Sequence, residues 1–310
     1  MFEKVLVTGA SGLVGTAIKA IQEKYPHYHF VFASREHGDL QKEEDVRELF
    51  QSVLPDYVIH AAASAGGIGK NLSSPAEQYY NNVMMNTHVI HEAHEHKVKK
   101  LVALSSVAAF SPKVEIIEES ALHVGEPHPA FLSYGYSKRM LDVQIQAYQK
   151  QYKTKCTSII SGNIFGEEDN FNTQSGHVVP ALIHKCYLAK KNNTPFEVWG
   201  DGTPYREFIY SQDIATACVN LLDHKKDIPP RIIVSAPRGI QIKELVDIIC
   251  KLFDYYEVSW LTDSPNGQMK RPTGKEIFRE TFPSFVFTPL EGALLKTIGW
   301  FVENYDKARK

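Results

Sequence analysis

The first half of the chain carries five short, continuous apolar runs, at residues 4–8, 29–33, 57–61, 100–104 and 156–160. Runs of this length without alternating polar positions suit strands buried on both faces of a parallel sheet. The stretches between them have apolar residues at helical spacing. Ala17, Ile18, Ala20 and Ile21 follow Thr16; a charged segment spans 43–53 and a long one 77–96. Met140, Leu141, Val143, Ile145 and Ala147 follow Ser133, a serine placed to cap their helix. Strand alternating with helix over the first ~165 residues predicts an α/β fold with a Rossmann-type doubly wound parallel sheet. Beyond residue 160 the texture changes: polar loops at 163–171 and 176–180 precede a helix at 181–190. The remainder reads as helices at 241–253 and 289–298 with a strand at 256–260. This part forms a smaller C-terminal α/β domain.

Glycine breaks the pattern first where it matters most. The run 4–8 ends in Gly9-Ala-Ser11-Gly12-Leu13-Val14-Gly15, directly between a strand and a helix. Glycines at these spacings allow a tight turn, close approach of backbone to a pyrophosphate, and close packing of helix on strand. The helix N-terminus supplies N–H groups and a positive dipole end for the phosphates. Past the second strand, Arg35 stands where an acid that bonds a ribose hydroxyl is common, and an arginine there accommodates a 2′-phosphate, so NADP(H) is the expected cofactor. Asp39 and Leu40 follow it. Ala62 and Ala63 then offer small side chains at the end of the third strand, where a cofactor needs room or where tight packing alone would select them.

Ser105 and Ser106 follow the fourth strand run at its carboxyl end, where ligands sit in this architecture, although serines there are also ordinary turn residues. Tyr134 and Lys138 are four residues apart and share one helix face. A lysine ammonium beside a phenol favours the phenolate, so Lys138 is expected to lower the Tyr134 pKa and make it a proton carrier. The pair alone also fits a packing tyrosine beside an ion-pairing lysine; its meaning comes from the glycines and serines before it.

Composition narrows the picture by exclusion. A net charge of −2 over 310 residues gives nucleic acid or an anionic membrane no electrostatic footing. Thirteen histidines contain no HExxH spacing, so no metal site is expected. The four cysteines are far apart and read as reduced, packed thiols. The chain runs straight from Met1 into a strand, and no apolar run is long enough for a bilayer, so a cytoplasmic protein is the expectation.

Gly9-x-x-Gly12-x-x-Gly15, Ser105-Ser106 and Tyr134-x-x-x-Lys138, in that order, resemble the extended short-chain dehydrogenase/reductase superfamily. Within it the chain is similar, nearly end to end, to the GDP-L-fucose synthase family. The similarity runs through Gly66-Gly67-Ile68, Tyr134-Gly-Tyr-Ser-Lys-Arg-Met140, Asp169-Asn-Phe171, His177-Val-Val-Pro-Ala-Leu182, Val198-Trp-Gly200 and Arg206-Glu-Phe-Ile-Tyr210. The resemblance implies NADPH-dependent reduction of the C4 ketone of a GDP-linked keto-sugar. It gives Tyr134 the role of acid, Lys138 that of tuning it and holding the nicotinamide ribose, and Ser105 or Ser106 a bond to the same oxygen. It places Asn163, Lys185, Trp199, Gly200 and Arg206 at or near positions that hold sugar, phosphates and base. Lys185 is equally apt as an ordinary surface residue of its helix. The resemblance also implies a homodimer through the helices near 77–96 and 134–152. The expected domains are 1–162 for NADP, with 204–227 returning to it, and 163–203 with 228–310 for substrate.

The resemblance breaks in one place. The family's cysteine after the serine pair works with the histidine matching His177 as the acid/base pair of a 3,5-epimerase; here Val107 or Ala108 stands in its place. A 4-reductase without epimerisation, on a related keto-hexose or heptose, is therefore the alternative reading. An NAD-dependent sugar-nucleotide 4-epimerase or dehydratase is disfavoured by Arg35 and by the lack of an Asp-Glu pair after Ser106. A non-catalytic NADP sensor is disfavoured by the complete Ser/Tyr/Lys set. The loop at 263–275, with Lys270 and Arg271, reads as solvated.

Overall fold

A computed structural model describes residues 2–226, 228–263 and 271–310. Lys270 lies outside these residues. The first half runs β1 (Glu3–Thr8), α1 (Leu13–Ile21), β2 (Tyr28–Ala33), α2 (Glu43–Val53), β3 (Tyr57–His60), α3 (Ile68–Ser73), α4 (Pro75–Glu95), β4 (Lys100–Ser106), α5 (Leu132–Tyr152) and β5 (Cys156–Ser161). The second half runs β6 (Ile164–Phe165), α6 (Val178–Asn192), β7 (Phe196–Trp199), β8 (Tyr205–Arg206), β9 (Ile209–Tyr210), α7 (Ser211–Asp223) and β10 (Arg231–Ile233). It ends with β11 (Ile240–Gln241), α8 (Ile242–Phe253), β12 (Val258–Leu261), α9 (Glu276–Thr281) and α10 (Leu290–Glu303).

Six parallel strands form the main sheet in the order β10-β5-β4-β3-β1-β2. The apolar runs are continuous because both faces are covered. Val5, Val7, Ile59, Val102 and Ile159 pack on one side with Ile18 and Ile21 of α1 and Ile214 and Val219 of α7. Leu6, Val58, Leu101 and Ala103 face the other side, against Phe50 of α2, Val89 and Ile90 of α4, and Leu141 and Ile145 of α5. Successive strand residues point to opposite faces, so each face takes every second side chain. From β1 the chain crosses to β2 on one side and later returns to β3 on the other. This switch point leaves a crevice beyond the carboxyl ends of β1 and β3, where ligands bind in such sheets.

A second core joins α6, α8 and α10 through Ile183, Cys186, Leu245, Ile249, Leu294 and Phe301, with Phe196 and Val198 of β7. β12 pairs in parallel with β7. Two segments sit elsewhere than the sequence division at residue 228 places them. β10 extends the main sheet beside β5, and Phe278 of α9 is buried in the first core. A three-residue strand flanked by Pro229, Pro230 and Ser235 carries too little pattern to be assigned by eye. α5 begins at Leu132 with Ser133 inside its first turn, so Ser133 is not its cap. β4 runs through both serines instead of ending before them. Of the described residues of the 263–275 loop, Asp263 is exposed, whereas 271–275 pack against the fold: Arg271 donates to the Ser111 carbonyl at 2.9 Å, and Ile117 donates its N–H to the Pro272 carbonyl at 2.9 Å.

Candidate active site

At the switch point the glycines do distinct jobs. Gly9 has φ +71°, and a Cβ there would stand 2.6 Å from the Ala62 nitrogen, so its backbone touches the loop after β3 directly. A Cβ on Gly15 would stand 2.3 Å from the Gly9 carbonyl oxygen, so α1 leans on the turn it leaves. Gly12, the N-cap of α1, has no side chain to bond the first-turn N–H groups of Leu13, Val14 and Gly15. A nine-residue helix thus presents bare donors and its positive dipole end over a floor that only small residues permit. Ser11 and Ala63 are exposed at the rim and Ala62 lies beneath. These features fit a dinucleotide pyrophosphate. Ala10 donates its N–H to the Ala33 carbonyl at 3.2 Å, which brings the end of β2 and the exposed Arg35 to the same crevice. Asp39 caps a tight turn through Gln41 N–H at 3.0 Å, and the Leu40 carbonyl lies 3.2 Å from His88 Nδ1.

A buried clasp underlies the cradle. His60, at the end of β3 and 1% exposed, lies 2.7 Å by Nδ1 from the Thr8 hydroxyl of β1 and 3.0 Å by Nε2 from Asn86 Oδ1 of α4. Burial, with the Lys138 charge nearby, pushes its pKa down to about 4. The ring is therefore neutral, donating to Asn86 and accepting from Thr8. Sequence reasoning passed over it; the signal was a histidine closing an otherwise apolar strand.

Tyr134 and Lys138 share the inner face of α5, with the ammonium 5.6 Å from the phenol ring centroid. Lys138 is 1% exposed and donates to the Leu104 carbonyl of β4 at 2.9 Å. Burial lowers its pKa to about 8. The expected depression of the Tyr134 pKa is not what the site produces. Burial pushes the phenol up to about 12, and the neighbouring Ser106 hydroxyl only partly offsets this. Desolvating a phenolate outweighs an ammonium that is itself desolvated and committed to a carbonyl. Of the two serines, Ser106 meets Tyr134, while the buried Ser105 hydroxyl finds no hydrogen-bond partner among the described residues. Successive residues of β4 point to opposite faces, which separates the pair. The turn after them is pinned: Ser106 Oγ accepts from Ala108 N–H at 3.1 Å, and Arg139 Nε donates to the Ala109 carbonyl at 2.8 Å.

The residues expected to hold substrate fall into two groups. Asn163 and His177 line one small depression with Phe165, Val178 and Phe208. Asn163 Nδ2 donates to the Glu207 carbonyl at 3.0 Å, and His177 is the N-cap of α6. His177 as a residue is exposed, yet the walls around its imidazole desolvate it and lower its pKa. About two turns along α6, Lys185 Nζ sits 4.5 Å from the Trp199 ring centroid, a cation–π contact at the end of β7. Gly200 follows at φ +81° and turns the chain back. Arg206 belongs to β8, and its half-buried guanidinium donates to the Tyr205 carbonyl at 2.8 Å with a pKa lowered by burial. Glu207 beside it was missed. Its buried carboxylate accepts from Ser235 at 2.7 Å, Thr273 at 2.6 Å and Lys275 at 2.9 Å, which ties 273–275 to the Arg206 strand. A larger cavity of about 400 Å³ between the two cores contains none of the expected site residues.

Residues 5–236 match the family described as NAD dependent epimerase/dehydratase. The chain is 36% identical over 311 residues to the GDP-L-fucose synthase of Dictyostelium discoideum, covering 99% of this chain and 97% of the relative. It is also 36% identical to the probable GDP-L-fucose synthase of Drosophila melanogaster, covering 99% and 100%. Among solved structures, a GDP-L-fucose synthetase from Naegleria fowleri bound to NADP superposes with a TM-score of 0.94 at 35% identity, covering 99% of this chain and 95% of that one. The cradle generates a direct prediction. Gly9→Ala weakens NADPH binding at least about tenfold in a fluorescence titration, because its Cβ meets backbone rather than a yielding side chain. An unchanged Kd, with far-UV circular dichroism matching the wild type, contradicts the assignment.

Proposed function

The chain belongs to the GDP-L-fucose synthases of the NAD dependent epimerase/dehydratase family, and we propose from that premise how its residues reduce the C4 ketone of a GDP-linked 4-keto-6-deoxy sugar. The observation that carries the reading is the grouping of Tyr134, Lys138 and Ser106 at the carboxyl edge of β4, beside the glycine cradle. When bound there, NADPH supplies the hydride for the carbonyl carbon. The chain's task is the charge that appears on the oxygen.

Tyr134, kept protonated by burial, gives its proton to that oxygen. An acid whose pKa lies near that of a developing alkoxide transfers a proton with little penalty either way. The phenolate left behind is held by the Ser106 hydroxyl and by the Lys138 ammonium on the same helix face. Both partners are in place before the reaction, so the stabilisation needs no reorganisation. Gly9, Ser11, Gly12, Leu13, Val14 and Gly15 would hold the pyrophosphate, Ala62 and Ala63 would clear its path, and Arg35 with the Asp39–Leu40 turn would receive the phosphorylated ribose. On the other wall, Lys185 and Arg206 would neutralise the substrate diphosphate, and Trp199 with Gly200 would bound its far end. Asn163 and His177 would face the sugar. A guanidinium and an ammonium already stripped of part of their water lose less on meeting phosphate.

A homodimer through α4 and α5 accompanies this reading, supported by the exposed Tyr79, Tyr80, Met140, Val143 and Tyr152 on those helices. No described helix is long and apolar enough to cross a membrane, and four free, buried thiols suit a reducing compartment. A cytoplasmic enzyme is the reading they support.

With GDP-4-keto-6-deoxy-mannose and NADPH, Tyr134→Phe lowers kcat by about 10²–10⁴ and leaves the NADPH Kd within about twofold. Turnover at the wild-type rate removes Tyr134 from the reaction. The pH profile separates the two groups. Tyr134 stays protonated up to about pH 12, so the alkaline limit belongs to Lys138. kcat/KM for NADPH, which reports the free enzyme, falls as pH rises through about 8, because the ammonium is lost. In Lys138→Arg that limb moves up by more than a pH unit; a limb left at the same pH assigns it elsewhere.

A further inference from the structure

We infer that the reaction leaves C3 and C5 of the sugar uninverted, so that this chain is a C4 reductase with a single proton carrier opposite its tyrosine; the inference rests on the C4-reduction reading above. Inverting a carbon beside a ketone breaks its C–H bond, moves that electron pair into an enolate, and returns a proton from the opposite face. One proton leaves and one arrives with no net redox change. Two proton carriers on opposite sides of the ring are the ordinary requirement.

The wall after β4 supplies none beyond Ser106. Val107 and Ala108 follow it in a short helical turn (Val107–Ala109). Val107 Cγ2 lies 3.0 Å from where a Cβ on Gly162 would stand, so branched hydrocarbon fills the space next to Asn163. The Ala108 carbonyl lies 2.8 Å from the corresponding point on Gly135, which locks that residue against α5. Neither side chain carries an exchangeable proton. His177 lines the depression beside Asn163, and desolvation of its imidazole lowers its pKa, which favours the neutral ring. A lone imidazole that removes a proton can give it back only to the face it came from.

Other protic groups among the described residues lie away from this wall or are engaged elsewhere. Burial keeps Tyr134 protonated, which makes it an acid and not a base. The four thiols are buried away from this wall: Cys156 starts β5, Cys218 lies within α7, and Cys186 and Cys250 pack together in the second core. The Glu207 carboxylate is fully engaged by Ser235, Thr273 and Lys275. Asp169, in the loop before α6, is only partly engaged: it accepts from the Asn170 N–H at 2.7 Å, and its second oxygen has no hydrogen-bond partner among the described residues. Burial pushes its pKa up to about 7, but it is buried beside Arg309 and not on the wall after β4.

The test uses the wild-type protein with GDP-4-keto-6-deoxy-mannose in heavy water, with and without NADPH, and reads product configuration from proton couplings at C3 and C5. Retained configuration at both carbons is expected, whether or not deuterium has entered on the original face. A product or recovered ketone inverted at C3 or C5 overturns the inference, and doubly so where His177→Asn abolishes the inversion. The reduction reading is scored separately by NADPH oxidation at 340 nm. If NADPH stays unoxidised that reading fails, while the recovered ketone still reports retention or inversion.

Discussion

An ammonium taken out of water at the edge of a parallel sheet is the constraint on which the site depends. Lys138 sits on the inner face of α5 and donates to the Leu104 carbonyl, and burial brings its pKa to about 8. That places its charge change close to working pH, where a modest shift alters what it does for its neighbours. The same charge helps keep His60 neutral, which preserves the Thr8–His60–Asn86 clasp beneath the cradle. The cost to folding has a definite sign. Between about pH 8 and 10.5 the unfolded chain holds a proton that the folded chain has lost. The penalty is therefore full below pH 8 and is relieved as pH rises. A fold that tolerates this penalty does so at a functional site, where such strain is commonly found.

The sheet and the cradle were legible in the sequence because they rest on local rules. A strand buried on both faces reads as unbroken hydrocarbon, and a turn that must pass φ +71° against a neighbouring loop demands Gly9. Tyr134 and Lys138 were legible because helix periodicity alone puts them together. The sign of the Tyr134 shift was not. Spacing predicts proximity, but the balance between an ammonium and desolvation is set by what covers the pair, and the covering residues come from β4. The choice between Ser105 and Ser106 likewise needed the strand's exact end, which pattern fixes only to within a residue or two. Glu207 and β10 were missed, and Arg271 was read as solvated, for one reason: their partners lie 28 to 160 positions away along the chain, and no local pattern records such pairs.

The two walls of the crevice bear unequal chemical burdens. On the β4–α5 wall a phenol, a hydroxyl and a cation stand together, the hydroxyl and the cation each held by a backbone bond, and on the proposed reading they form the set that protonates one oxygen. The α6 wall carries His177 on a helix N-terminus and a lysine stacked on Trp199, groups suited to holding a polar, anionic ligand in register. Where a second acid/base group would complete a stereochemical inversion, Val107 and Ala108 put hydrocarbon and a pinned carbonyl. Similarity of the whole chain to GDP-L-fucose synthases thus coexists with one local change that alters which bonds the site can break.

The most direct test of the central claim follows a hydrogen atom. The protein is incubated with GDP-4-keto-6-deoxy-mannose and NADPH carrying deuterium at the reactive C4 position of its nicotinamide, prepared separately with each face labelled. Mass spectrometry and NMR then locate the label. The account predicts that one of the two labelled cofactors places one deuterium on sugar C4 for each cofactor oxidised. Cofactor oxidation with no deuterium on the sugar from either label would contradict it, since the Tyr134 wall would then be protonating something other than a reduced C4 oxygen.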